Sequence, residues 1–333
     1  MTYIMRALEN LLQNGQDFTG EYRAQLSNHL PMALIALYRL GADEARLDQF
    51  FKMYSDRLEM KTTTGLPMSP VTWAKSLGQH EFHADFALFF AKELNRLGTQ
   101  QTLMTYVSEL MAGVGGGAFH GLIRLAYGID IGSPSEISEG LAHWADAYLP
   151  LKTEAAVSSS SVSYQEILEA FRRNPKWASV ELGGPKIFTR MAMAAAEPEF
   201  QSLAGSVQGT GLKLSDLSRV ALSLYASTND FTALHLVTSC HAMRLVLPYC
   251  RDQGQAMASY WMAFTAAYIT IGCPACVDLD RSAHAGPSWE EIAARAVLSD
   301  DDHTIKLVYT CREEEEFYQE PIYRKIAGQR VLL

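Results

Sequence analysis

Phe86-Ala87-Leu88-Phe89-Phe90-Ala91-Lys92-Glu93-Leu94-Asn95-Arg96-Leu97-Gly98 carries its large apolar side chains at Phe86, Phe89, Phe90, Leu94 and Leu97. That spacing is one face of a helix with a period of 3.6 residues, and Gly98 is a stop signal. Leu103, Tyr106, Val107 and Leu110 repeat the period before Gly113, so the stretch reads as two helices of a bundle. Upstream, Asn28-His29-Leu30-Pro31 is a helix start: Pro31 suits the first turn, the face continues through Leu34, Leu37, Tyr38 and Leu40, and Gly41 ends it. Downstream, Ala118 to Gly128, Leu214 to Tyr225, Asp230 to Arg244, Tyr260 to Ile271 and Trp289 to Leu298 are helical in the same sense. Strand alternation is scarce and no repeat of fixed period occurs. The expected architecture is all-α, a single large multi-helix bundle-like domain over residues 1–333. The Ser-rich stretch near residues 151–164, with Ser158 to Ser161, reads as a surface loop between helical halves.

Of the 333 residues 48% are hydrophobic, enough for a sizeable core, and the formal charge is -9. Nucleic-acid backbones and anionic membranes reward clustered Lys and Arg, so neither is expected as a partner. No secretory leader pattern and no apolar run long enough to span a bilayer is legible, which makes the cytoplasm the expected compartment. Five cysteines are too few and too unevenly placed for a disulfide framework. Cys273-Pro274-Ala275-Cys276 has CxxC spacing, but no second CxxC and no thioredoxin-like pattern accompanies it, so both read as structural cysteines at a helix end.

Gly113-Val114-Gly115-Gly116-Gly117 has no GxGxxG in register and no following Gly-Lys-Ser/Thr, which leaves a dinucleotide site unsupported. No GxSxG elbow and no HExxH occurs either. The histidines remain. His80, His83 and His143 have polar or charged neighbours (Glu81, Asp85, Asp146) and read as partly exposed, and His284 lies in a Gly/Pro-bearing loop. His29, His120 and His235 instead sit in apolar surroundings, where an imidazole must find a partner. With His303 they suggest a shared inward-facing site, either for a metal or for hydrogen-bonded core histidines. His241 follows His235 by six residues, about 600° at 100° per residue, so it points away and is the reserve ligand. Lys306 shares a helix face with His303, although an ammonium has no lone pair. Its ordinary partners would be Glu313 or one of Asp300, Asp301 and Asp302.

Four blocks together resemble the questin oxidase-like family: Asn28-His29-Leu30-Pro31-Met32-Ala33-Leu34, Gly117-Ala118-Phe119-His120-Gly121-Leu122-Ile123-Arg124, Asp230-Phe231-Thr232-Ala233-Leu234-His235-Leu236-Val237-Thr238 and Asp302-His303-Thr304-Ile305-Lys306-Leu307-Val308. The similarity runs from about residue 20 to about residue 325. The family includes fungal oxidases of Baeyer-Villiger type in anthraquinone and polyketide pathways, and a non-haem iron dioxygenase that opens an anthraquinone ring. In the iron-dependent branch the resemblance implies a metal held by His29, His120, His235 and His303 together with Lys306 carboxylated on its amine. A buried lysine loses its proton more readily, and its neutral amine can add carbon dioxide to give an anionic carbamate ligand. Iron(II) suits such a donor set, and zinc or nickel can replace it in purified protein. The implied activity is an oxygenase acting with dioxygen on a fused aromatic, quinone-like or polyketide-derived molecule, by C–C cleavage or oxygen insertion. Three alternatives stand beside it. They are an NADPH-dependent Baeyer-Villiger-type oxidase, a metal-dependent hydrolase, and a non-catalytic helical metal- or ligand-binding protein. Arg124, Tyr127 and Tyr225 are candidate pocket residues for a polar aromatic substrate, with core packing an equal reading of the two tyrosines.

Overall fold

Helices Leu30–Arg39, His120–Ile131, Phe231–Val246 and Asp302–Tyr318 form a closed ring in which each packs on the next and the last returns to the first. The computed structural model of the chain describes residues 3–23, 25–151, 162–178, 184–207, 211–277, 279 and 286–332. Among them the only sheet pairs Glu21–Tyr22 with Leu26–Ser27 in antiparallel register, Glu21 opposite Ser27. The fold is all-α, as the periodicity demanded.

The expected helices appear with small differences at their ends. The Phe86 face lies on His83–Leu97 and buries Phe86, Phe89 and Phe90. Thr99–Leu110 follows directly, and Trp73, Phe89, Phe90 and Tyr106 interlock as stacked and edge-on rings. Trp289–Leu298 occupies the predicted span, begun by a capping box in which Ser288 and Glu291 satisfy each other's backbone N–H groups. The helix expected from Ala118 begins only at His120, because Gly117, Ala118 and Phe119 all adopt left-handed conformations (φ 53°, 54° and 70°). Residues 152–161 of the Ser-rich stretch lie outside the described residues, and a helix resumes at Tyr164 behind a Ser163–Glu166 capping box.

His120–Ile131 and Pro134–Asp146 pack backbone to backbone. A Cβ on Gly140 would sit 2.6 Å from the Leu125 Cα, so only glycine permits the contact. Cys273 is buried just beyond helix Gln253–Thr270, Cys276 is exposed, and both are free thiols. No helix among the described residues is long and apolar enough to cross a membrane.

Candidate metal centre

The four helices of the ring all start at one end of it, and each delivers a histidine there from its N-cap or first turns. His29 is the N-cap of Leu30–Arg39, His120 is the first residue of its helix, His235 is in the second turn of Phe231–Val246, and His303 is the second residue of Asp302–Tyr318. Asp230 and Asp301 cap the last two by accepting backbone N–H groups. Helix N-termini carry partial positive charge, so this end of the ring disfavours protonated imidazole and favours an anionic oxygen.

The three most buried of these four rings converge. His29 Nε2 lies 2.7 Å from His120 Nε2, and His235 Nε2 lies 3.3 Å from the same atom. The outer nitrogen of each is tied to an acceptor. His29 Nδ1–H donates to Asp302 Oδ2 at 2.5 Å, His120 Nδ1–H to the Gly117 carbonyl, and His235 Nδ1–H to the Phe231 carbonyl at 2.7 Å. A neutral imidazole has one proton, so these bonds leave three lone pairs facing one another. His303 joins edge-on, its ring centroid 4.8 Å from that of His29, with Nδ1 3.2 Å from Asp302 Oδ2 and a buried Nε2 that has no hydrogen-bond partner.

Electrostatics keep these groups neutral. Burial, then the Lys306 charge, lowers His29 to about 3. Burial takes His120 and His235 well below the ordinary imidazole value, and burial with Lys306 lowers His303. Burial also lowers Lys306 itself, against the opposing pull of Asp302. Lys306 is 3% exposed and its Nζ lies 3.5 Å from Asp302 Oδ2, so the aspartate it pairs with is Asp302 and not Glu313. Asp302 is held far below the carboxylate range: burial would raise it, and His29 and Lys306 outweigh that.

His29, His120, His235, His303 and Lys306 are thus brought to one place. Asp302, which touches two of the histidines and the lysine, is the member the histidine pattern missed. Its signal was the spacing of four residues to Lys306 on one helix face. His241 points elsewhere, bonded to Glu314 at 2.7 Å. The candidate pocket residues do not line the centre. Arg124 is buried against Glu136 at 3.0 Å, Tyr127 packs on Tyr309, and Tyr225 lines a surface cleft of about 450 Å³ beside Asn229 and Arg330. Phe231 stands there instead: its ring is 4.5 Å from His235 and 4.6 Å from His303, centroid to centroid, and it is 52% exposed.

A second polar cluster corrects the reading of His143 as partly exposed, whereas His83 is partly exposed as expected. His143 is buried, and His83 is clamped between Asp146 Oδ2 at 2.5 Å and Glu139 Oε2 at 3.2 Å. Burial would lower His83, but those two carboxylates outweigh it and push it up to about 10. Glu139 in turn faces Lys61 at 2.7 Å and Arg124 at 3.6 Å. His80 pairs with Glu21 at the edge of this cluster, and His284 lies outside the described residues.

A model of the family described as Questin oxidase-like matches residues 26–311. The chain belongs to the questin oxidase-like family. The matched segment contains all four converging histidines, Lys306 and Asp302. Among relatives, the chain is 22% identical to the Baeyer-Villiger oxidase ptaJ of Pestalotiopsis fici, with 94% of this chain and 81% of that protein aligned. It is 22% identical to the questin oxidase of Aspergillus terreus, over 93% and 80%. The match to the Baeyer-Villiger monooxygenase AacuH of Aspergillus aculeatus is 25% identical and shorter, covering 54% of this chain and 44% of that one.

Proposed function

We propose that this questin oxidase-like protein is an oxidoreductase, an iron(II)-dependent oxygenase of a fused aromatic or quinone-like substrate. The observation that carries the metal is the lone-pair convergence. Three imidazoles with their Nδ1 protons committed to acceptors aim Nε2 atoms at one another at 2.7 and 3.3 Å, which is repulsive until a cation lies between them. Metal-bound histidines characteristically donate their other nitrogen to a carboxylate or carbonyl, the pattern of Asp302, Gly117 and Phe231 here. Lys306 fits as a carbamate: it is buried, its amine is lowered toward neutrality, and Asp302 can accept the hydrogen that a carbamate nitrogen keeps. His29, His120, His235, His303 and carboxylated Lys306 would hold the metal.

Iron(II) supplies the one-electron chemistry that lets dioxygen react with a closed-shell aromatic molecule. The chain's own residues do the rest. Asp302 fixes two imidazoles and the lysine at once, so the ligands need no reorganisation when substrate arrives. Neutral histidines leave the carbamate as the ligand set's one negative charge. Phe231 offers an exposed ring face against which a flat aromatic substrate stacks beside His303.

The names of the relatives favour oxygen insertion. Baeyer-Villiger insertion of one oxygen atom leaves the other to be reduced to water, which requires two electrons from a reductant such as NADPH. Ring cleavage that keeps both atoms requires none. A binuclear hydrolase built on a carboxylated lysine would need a second metal within the same centre, and Asp302 is already committed to His29, His303 and Lys306. Elemental mass spectrometry of untagged protein should find about one iron per chain, with an intact mass under mild conditions that includes added carbon dioxide. Iron-loaded protein should then consume dioxygen with hydroxylated quinones, and NADPH dependence of that uptake separates insertion from cleavage. Absence of metal after anaerobic iron(II) addition overturns the reading in favour of a binding protein.

A further inference from the structure

His83, His143 and Asp146 lie outside the histidine centre and play no part in the function proposed above. We propose that they form a second, independent divalent-metal site. One ligand atom from each lies within 4.8 Å of the others, and donors around a first-row ion with bonds of about 2.0–2.2 Å stand roughly 3–4 Å apart, so a small contraction completes the site.

The outer nitrogens of both rings face side-chain oxygens. His143 Nε2 faces Ser27 Oγ at 3.3 Å and His83 Nε2 faces Glu139 Oε2 at 3.2 Å. When the outer nitrogens donate to oxygen and a metal displaces the second proton of His83, both Nδ1 lone pairs point inward. Inside, His143 Nδ1 and Asp146 Oδ1 stand 3.5 Å apart, both buried and neither with a hydrogen-bond partner. Buried polar atoms without partners are rare, and one cation satisfies both. Glu139 stays out of the donor set, because Lys61 and Arg124 neutralise it and leave it as the acceptor that orients His83. Two imidazoles and one carboxylate select iron(II), cobalt(II) or zinc over calcium and magnesium, which take all-oxygen sites. The competitor is a proton on His83, held against Asp146 Oδ2 at 2.5 Å. The His83 side chain is 17% exposed at the start of its helix, which gives an ion a route in. With three protein donors against five, this site fills only when metal is supplied.

The test is cobalt(II) loading of metal-stripped full-length protein under anaerobic conditions, counting ions per chain after desalting and reading the visible cobalt bands. Wild type should hold about two cobalt ions, His143→Gln and Asp146→Asn about one, and His120→Ala about one with the cobalt spectrum of the second site alone. If the cluster variants fail to fold, His120→Ala still decides, because it keeps the cluster intact. One cobalt in wild type and none in His120→Ala overturns the second site while leaving the histidine centre standing. One in wild type, one in His120→Ala and none in His143→Gln supports the second site and overturns the first. No cobalt in wild type overturns both.

Discussion

The histidine centre and the His83–Asp146 cluster are both buried and rich in imidazole, yet they are balanced in opposite ways. At the centre, one carboxylate, Asp302, serves two histidines and a lysine, and burial strips protons from the imidazoles. In the cluster, His83, Lys61 and Arg124 stand against Asp146, Glu139 and Glu136, so charge closes locally. On the readings proposed above, the first arrangement is completed by a cation, whereas the second has a choice between a proton and a metal. Histidine count therefore says little about a site; what matters is where the outer nitrogens are tied and how many carboxylates are left to share.

The sharpest break between the two would come from the centre's own ligands. His120→Ala should lower the iron held by protein as isolated at least about tenfold with helical circular dichroism unchanged. Lys306→Met tests sign as well as size: removing an ordinary ammonium relieves repulsion and strengthens metal binding, whereas removing a carbamate ligand weakens it, and we expect weakening. Stoichiometric iron in either variant removes the ligand assignment. Next in size, Arg124→Met should destabilise the fold by about 3–5 kcal/mol in chemical denaturation, because Glu136 loses its ion-pair partner and is left as a buried charge, while Glu139 keeps Lys61 and His83. A loss no larger than that of a surface ion pair would mean the cluster is not charge-closed as described.

Acidity should resolve the two regions in metal-free protein. His83 is raised to about 10 from 6.5, so its stabilisation is complete below pH 6.5 and is lost as pH rises through 10. The centre's histidines are depressed, His29 to about 3, so theirs is complete above pH 6.5 and is lost as pH falls toward 3. Thermal midpoints should fall on both sides, and His83→Gln should flatten the alkaline limb alone; loss of the acid limb as well would contradict the separation. The smallest effect belongs to His241→Gln. Iron content should not change, and stability should drop by about 1–2 kcal/mol, since Arg244 continues to satisfy Glu314 at 2.7 Å.

Much of this was legible in the chain. Periodicity and stop signals located the helices, and the four family blocks carried every histidine of the centre. What stayed hidden has physical causes. The left-handed Gly117–Phe119 turn has no signature at Ala118 or Phe119, residues that ordinarily avoid that region. His143 looked solvated because charged residues surround it in sequence, yet those charges face inward and pair with Lys61, His83 and Arg124 from other segments. Arg124 and Tyr127 are pocket candidates by their chemistry, which does not say which neighbour a residue meets: Tyr127 takes the core-packing alternative and Arg124 an ion pair.

The left-handed turn before His120 sets an order of disassembly for the centre. His29, His235 and His303 are held by helices whose ends are capped or tightly packed, but His120 is aimed by two consecutive residues, Ala118 and Phe119, wound against their preferred hand and by one bond to the Gly117 carbonyl. A spring under load releases first where it is loaded. On the function proposed above, we expect the His120 arm to be the first to move when the protein is heated or stripped of metal, leaving a three-histidine centre with a nearly intact fold.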